Sequence, residues 1–309
     1  MSEPIVRLQG LKKQYGTVLA VQDLTLEIQE GEIFAFLGPN GSGKTTTFLM
    51  MMGLTTPSGG DVHVCGYHPA QNPIEVKRVV SHLPDNLGFY EDLTAAGNLR
   101  YTGALAGVEP EIVEHKIEKL LRRVLLYNDR DKPVGQFSRG MKQRLGIADV
   151  LIKNPRLVIL DEPTLGLDPD GAKELLAMIH ELSREQGITV LLSSHQLEHV
   201  QQISDRIAIF KKGEMKACGS IHSLAQQMQA GETECCSLSL LQDGGFLDFV
   251  RKLEPVAEAS AQNGGYRITY ARGRWQEIAA AMANGGYLLT RLGTEDGNLR
   301  EIYRHFFVE

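Results

Sequence analysis

The sequence predicts an α/β fold built on a mainly parallel central sheet, followed by a smaller α+β domain. Two observations carry the first part. The runs Ile33 to Leu37, Leu157 to Leu160 and Thr189 to Leu192 are continuously apolar, as strands covered on both faces should be. Patterns of helical spacing lie between them, so strand and helix alternate along the chain. A third observation, a fresh strand and helix pattern after residue 233, predicts the second domain.

Val6 and Leu8, then Leu24, Leu26 and Ile28, alternate as half-buried strands do and predict an antiparallel β subdomain at the N-terminus. Residues from about 86 to 150 form a long, mostly helical stretch, more than a crossover needs, and read as a helical subdomain inserted into the sheet. Within it Met141, Leu145, Ala148 and Ile152 recur at helical spacing, predicting a helix over Met141 to Lys153 that stops near Asn154-Pro155. Ile207 to Cys218 reads as a hairpin. These elements make residues 1–220 one domain. A short helical stretch from Ile221 and the polar Ala230 to Thr233 make 221–233 a linker.

Residues 234–309 then read as a strand at 234–240 and a helix with Phe246, Phe249, Val250 and Leu253 inward. Two strands follow around Asn263-Gly264-Gly265, then a helix bearing Trp275, Ile278 and Met282 that ends at Gly285-Gly286. A last strand and a closing helix from Leu299 to Phe307 complete the order βαββαβ plus a helix. That is the split-βαβ, ferredoxin-like arrangement.

Composition narrows the function classes. With 42% hydrophobic and 23% charged residues among 309, the chain resembles ordered globular proteins. No run approaches the roughly 18 apolar residues that span a bilayer, and the first residues lack a signal-peptide pattern, so a cytoplasmic protein is expected. The four cysteines show no metal-ligand spacing; reduced structural thiols, and no zinc, are expected. Adjacent Cys235 and Cys236 should point to opposite faces of a strand. A net charge of −6 offers no wide basic surface, so no nucleic-acid partner is expected.

Gly38-Pro39-Asn40-Gly41-Ser42-Gly43-Lys44-Thr45 follows a buried strand and precedes a helical run, the context a phosphate-binding loop requires. Glycines let backbone N–H groups turn inward around phosphate oxygens, and the helix beginning near Lys44 adds its positive end. Lys44 should reach the β- and γ-phosphates, and the Thr45 hydroxyl should ligate Mg²⁺. The apolar strand from Leu157 ends in Asp161-Glu162, at the carboxyl edge of the sheet where ligands of open α/β folds bind. Asp161 suits the metal. Glu162 points the other way along the strand, and can orient or deprotonate an attacking water. Together these residues point to nucleotide hydrolysis.

Between the two nucleotide motifs lies Phe137-Ser138-Arg139-Gly140-Met141-Lys142-Gln143-Arg144, and after them come Asp161-Glu162-Pro163-Thr164-Leu165-Gly166-Leu167-Asp168-Pro169 and Ser194-His195. Over about residues 5 to 219 this order resembles the ATP-binding-cassette (ABC) ATPases, the subunits that power membrane transporters. The resemblance implies an ATPase using ATP and Mg²⁺ that works as a head-to-tail homodimer against a separate integral membrane permease, peripheral on the inner face of the membrane. It implies that Ser138 and Gly140 meet the partner's ATP in trans, that Tyr15 stacks on adenine, and that Thr46 lies with Thr45 at the nucleotide. It also implies that His195 contacts the γ-phosphate and that Asp168 belongs to the loop joining the two sites.

Two departures from the family pattern stand out. Asp85, in Leu83-Pro84-Asp85, takes the place of the usual Gln or Glu near the metal and is shorter, so its reach is expected through a bridging water. Arg139 and Met141 depart from the commonest signature but are similar to the branch serving simple export systems, which often carries a small C-terminal domain. Two alternatives are weighed: a soluble ABC ATPase acting on the ribosome or DNA, and a C-terminal domain that senses a ligand instead of supporting the dimer. The cargo is not legible.

Overall fold

The computed structural model describes residues 3–228, 233–241, 244–262, 265–294, 299, 303, 306 and 307. It divides into two compact units, Met1–Gly219 and Ser220–Glu309.

The first unit opens with strands β1 (Val6–Tyr15) and β2 (Val18–Ile28), paired antiparallel, then β3 (Ile33–Leu37) and helix α1 (Lys44–Met51). Strand β4 (Gly59–Val64) returns to β1, giving a three-stranded antiparallel sheet in the order β2-β1-β4. Its register sets Val6, Leu8 and Val62 inward, so the alternation read in the sequence becomes one buried face. Strand β4 itself was not legible. Its Gly59-Gly60 start resembles a turn, yet Gly60 lies so close to β1 that a Cβ would sit 2.2 Å from the Gly10 carbonyl oxygen.

Helix α2 (Pro73–Val79) and strand β5 (Val80–Leu83) lead into the helical subdomain of α3 (Ala95–Leu105), α4 (Pro110–Arg123) and α5 (Arg139–Leu151). Helix α5 begins two residues earlier than Met141, because Ser138 caps it by accepting from the Met141 N–H at 3.3 Å. It ends at Leu151, and Asn154 then takes a left-handed φ of +53° that no helix continues through. Strand β6 (Leu157–Asp161), helix α6 (Pro169–Gln186), strand β7 (Thr189–Ser194), helix α7 (Leu197–Ile203) and strands β8 (Arg206–Lys211) and β9 (Glu214–Gly219) complete the unit.

The central sheet has the order β5-β6-β7-β3-β8-β9, parallel except for β9. Strands β8 and β9 join through Lys212 and Gly213, both at positive φ, the geometry of a two-residue hairpin. All side chains of β3, β6 and β7 are buried, which is why these strands are continuously apolar up to their polar ends. Phe36 packs edge to face on Phe34 and Phe48 and stacks on Phe210 at 5.1 Å, tying β3, α1 and β8 together under the phosphate-binding loop. Each such aromatic pair adds about 0.5–1.5 kcal/mol beyond its burial.

The second unit comprises helix α8 (Ile221–Met228), β10 (Thr233–Leu240), α9 (Phe246–Val250), β11 (Val256–Gln262), β12 (Gly265–Ala271), α10 (Trp275–Asn284) and β13 (Leu289–Thr294). Its antiparallel sheet runs β11-β12-β10-β13, the split-βαβ arrangement. Phe246, Val250, Ile278 and Met282 from the two helices pack with Cys236, Leu238 and Ile268 of the sheet. Cys235 points the other way, its sulfur accepting from Arg267 Nε at 3.1 Å. None of the four cysteines forms a disulfide, and burial pushes the Cys65 thiol up to about 11. Asn263, Gly264, part of the 221–233 linker and most of the expected closing helix lie outside the described residues.

Candidate nucleotide site

Three neighbouring parallel strands deliver the motifs to one sheet edge. In register, Leu37 of β3 lies beside Ser194 of β7, and Ser193 of β7 beside Asp161 of β6. The phosphate-loop motif, the Asp161-Glu162 pair and His195 therefore emerge side by side, at the carboxyl ends where α/β sheets hold ligands.

The loop between β3 and α1 depends on glycine. A Cβ on Gly43, at φ +105°, would lie 2.5 Å from the Ala20 carbonyl oxygen, and one on Gly38 would lie 2.4 Å from that of Phe210. Pro39, Asn40 and Gly41 form its exposed crown, and Ser42 is buried with its hydroxyl unpartnered. The hairpin turn steadies this loop from behind, Gly213 N–H donating to the Ser42 carbonyl at 3.0 Å.

Lys44 Nζ donates to the carbonyls of Gly38 at 2.8 Å and Pro39 at 3.1 Å, curling over its own loop. Burial pulls its pKa down, opposed by the nearby Glu162 and Asp161 carboxylates. Thr45 Oγ1 donates to Asp161 Oδ2 at 2.9 Å, and Ser193 Oγ donates to the other oxygen, Oδ1, so the carboxylate is fixed at both ends. Glu162 takes a left-handed φ of +49°, which for a residue with a side chain costs about 1 kcal/mol. Its N–H donates to Ser193 Oγ at 3.1 Å, and the strained turn swings its carboxylate out beside the loop. Glu162 Oε2 lies 2.9 Å from His195 Nδ1, and its Oε1 is buried without a partner.

Tyr15, Lys44, Thr45, Thr46, Asp85, Asp161 and Glu162 line one cleft of ≈ 280 Å³. Tyr15 ends β1 on its rim, half exposed, with Lys13 Nζ 4.8 Å above the ring. Asp85 also meets Arg139, whose NH2 lies 3.9 Å from its Oδ1. Ser138 and Gly140 open α5 and do not line this cleft; Asp168 opens α6, exposed.

The residues fit a magnesium nucleotide. A hydroxyl and a carboxylate 2.9 Å apart are the hard oxygen donors that Mg²⁺ takes from protein when phosphates supply the rest. The orphaned Ser42 hydroxyl and Glu162 Oε1 are polar atoms that a phosphate and a water could satisfy.

Sequence reasoning missed two supports. Ser193 holds both Asp161 and the Glu162 backbone, but a serine closing an apolar strand carries no signal of its own. Gln143 Nε2 donates to the Pro163 carbonyl at 2.6 Å, anchoring the loop after β6 to α5; its motif was visible, its contact was not.

The chain is similar to known proteins in sequence and in fold. The ABC transporter family matches residues 21–165. The chain is 40% identical to the bacitracin transport ATP-binding protein BcrA of Bacillus licheniformis, over 68% of each chain. It is 32% identical to the protein of the same name in Enterococcus faecalis, over 97% of this chain and 96% of that one. Among solved structures, an ATP-binding subunit of an ABC transporter superposes with a TM-score of 0.67 at 31% identity, covering 73% of this chain and 93% of that one. These relatives do not favour the ribosome or DNA alternative.

Proposed function

The chain belongs to the ABC transporter family as an ATP-binding, ATP-hydrolysing subunit, and from that premise we propose that two copies close on two magnesium-bound ATP molecules and drive export through a separate membrane permease. The observation that carries this reading is the convergence of Lys44, Thr45, Asp161 and Glu162 on one cleft at the carboxyl edge of the sheet.

Loop N–H groups and Lys44 hold the β- and γ-phosphates, and Tyr15 stacks on the base. Thr45 and Asp161 would hold Mg²⁺, and Asp85, on the same cleft, would reach it through a water. The metal, when bound, neutralises charge on the terminal phosphate. Glu162 accepts a proton from the attacking water at its unpartnered Oε1, while His195, bonded to Oε2, fixes the carboxylate and reaches the γ-phosphate. The partner's Ser138-to-Gly140 stretch, at the positive end of α5, completes the phosphate shell, and Asp168 links the two sites.

The helical subdomain passes closure to the permease. Exposed Ile74 and Leu105 flank a cleft of ≈ 610 Å³ lined by residues of α2, α3 and α5, which supports that role. Among the described residues no helix is long and apolar enough to cross a membrane. Export follows a relative named for it, the Nod factor export ATP-binding protein I of Cupriavidus pinatubonensis, 33% identical over 94% of this chain and 89% of that one. Phosphate release from MgATP by the purified chain, stimulated on co-expression with its permease, tests the reading. Recovery of soluble partners alone would count against it.

A further inference from the structure

Asp85, just after β5, lines two adjoining clefts. On one side it faces the nucleotide cleft, with Lys44, Thr45, Asp161 and Glu162. On the other it faces a second cleft with Arg139, the first residue of α5, and the two side chains form an ion pair at 3.9 Å. Each is 53% exposed, so the pair is screened and biases Asp85 by only about two- to five-fold. That suits a contact meant to be broken.

The nucleotide cleft by itself repels Asp85. Asp161 and Glu162 are carboxylates, and the lining lysine, Lys44, is directed at the Gly38 and Pro39 carbonyls. A divalent cation there reverses the sign of the field. Arg139, in turn, lies flat against the loop after β6. A Cβ at Gly166 would sit 2.6 Å from its Nε and 2.8 Å from its NH1. One side chain thus touches the segment after β5, the start of α5, and the loop leading to Asp168.

We infer that Asp85 is a two-position element, paired with Arg139 until a metal-bound nucleotide draws its carboxylate into the cleft, and that Arg139 is the positioning residue setting the metal concentration at which this happens. Release of Arg139 is then felt at Gly166 and at the Ser138-to-Gly140 stretch, coupling metal binding to the surface offered to the second copy. A neutral glutamine at position 85 would form no ion pair, so the device belongs to the Asp85 and Arg139 combination. The inference rests on the magnesium-nucleotide reading above.

Its test is Mn²⁺ binding, followed by the electron paramagnetic resonance of free Mn²⁺, to the full chain saturated with a non-hydrolysable ATP analogue. At low salt, Arg139→Gln is expected to tighten Mn²⁺ binding about three- to five-fold, and high salt should erase the difference. Arg139→Lys should keep the original affinity. In an Asp85→Asn background, Arg139→Gln should change nothing, and Arg139→Ala serves as a second variant should the first fail to fold. Equal tightening in both backgrounds, or none in either, overturns the inference and leaves the nucleotide reading standing. If the unsubstituted chain with nucleotide binds no Mn²⁺, the metal assignment fails and takes the inference with it.

Discussion

Replacing Glu162 with glutamine separates the chemistry of the site from its architecture. The Glu162 side chain is 11% exposed, with Oε2 at 2.9 Å from His195 Nδ1 and Oε1 unpartnered. Glutamine has the same volume and can keep the contact with His195, and its backbone carries the same cost at φ +49°. Folding stability should therefore move by less than about 1 kcal/mol. What is lost is the proton acceptor aimed into the cleft, a contribution of about 10² to 10⁴ in rate, or roughly 3–5 kcal/mol of barrier. Removing one of three carboxylates that face the phosphates also relieves repulsion, so nucleotide affinity should hold or rise. The assay is steady-state phosphate release at saturating MgATP, paired with equilibrium nucleotide binding and a thermal melt. Turnover within about three-fold of the unsubstituted chain, with binding intact, would refute Glu162 as the base.

Other substitutions probe separate links. Lys44→Ala should weaken ATP binding by about 1.5–3 kcal/mol, seen by equilibrium titration, because it removes a charge-assisted donor to phosphate. Gly43→Ala places a methyl group 2.5 Å from the Ala20 carbonyl at φ +105°, so nucleotide binding and about 1–3 kcal/mol of stability should be lost together, read by titration and a denaturant melt. Burial raises the Asp149 pKa, so its charged form opposes folding. Asp149→Asn should raise the melting temperature at neutral pH, and the gain should fade as pH falls toward about 4, where the unfolded carboxyl is protonated too. Phe246→Ala, which empties a site between Tyr266 and Tyr287, should lower stability of the second unit by about 3–5 kcal/mol and leave ATP binding unchanged, checked by calorimetry with and without nucleotide.

What could be read from sequence follows how local each constraint is. The buried strands β3, β6 and β7 were legible because burial on both faces leaves only apolar residues between their polar ends. The glycine loop was legible because its backbone geometry excludes side chains. Non-local features were hidden. Strand β4 depends on β1 for its pairing, whereas the edge strand β9, although only half buried, was legible as the second arm of the hairpin at 207–218. In the site, Lys44, Thr45, Asp161 and Glu162 were named in advance because each belongs to a motif of fixed spacing. Ser193 and the ion pair of Asp85 with Arg139 join residues 31 or more positions from their partners, and no spacing announces them. The left-handed φ at Glu162 is likewise invisible, since a glutamate gives no warning that it will occupy such a conformation.

Sedimentation equilibrium of the Glu162→Gln chain, with and without MgATP, asks most directly whether one cleft is completed by a second copy. Saturating MgATP should carry the mass from 34.1 kDa to near twice that value, and Ser138→Arg in the same chain should return it to a single copy. A mass that stays at 34.1 kDa with the site full, at about 50 µM chain, would contradict the proposal that closure of two copies drives the transporter.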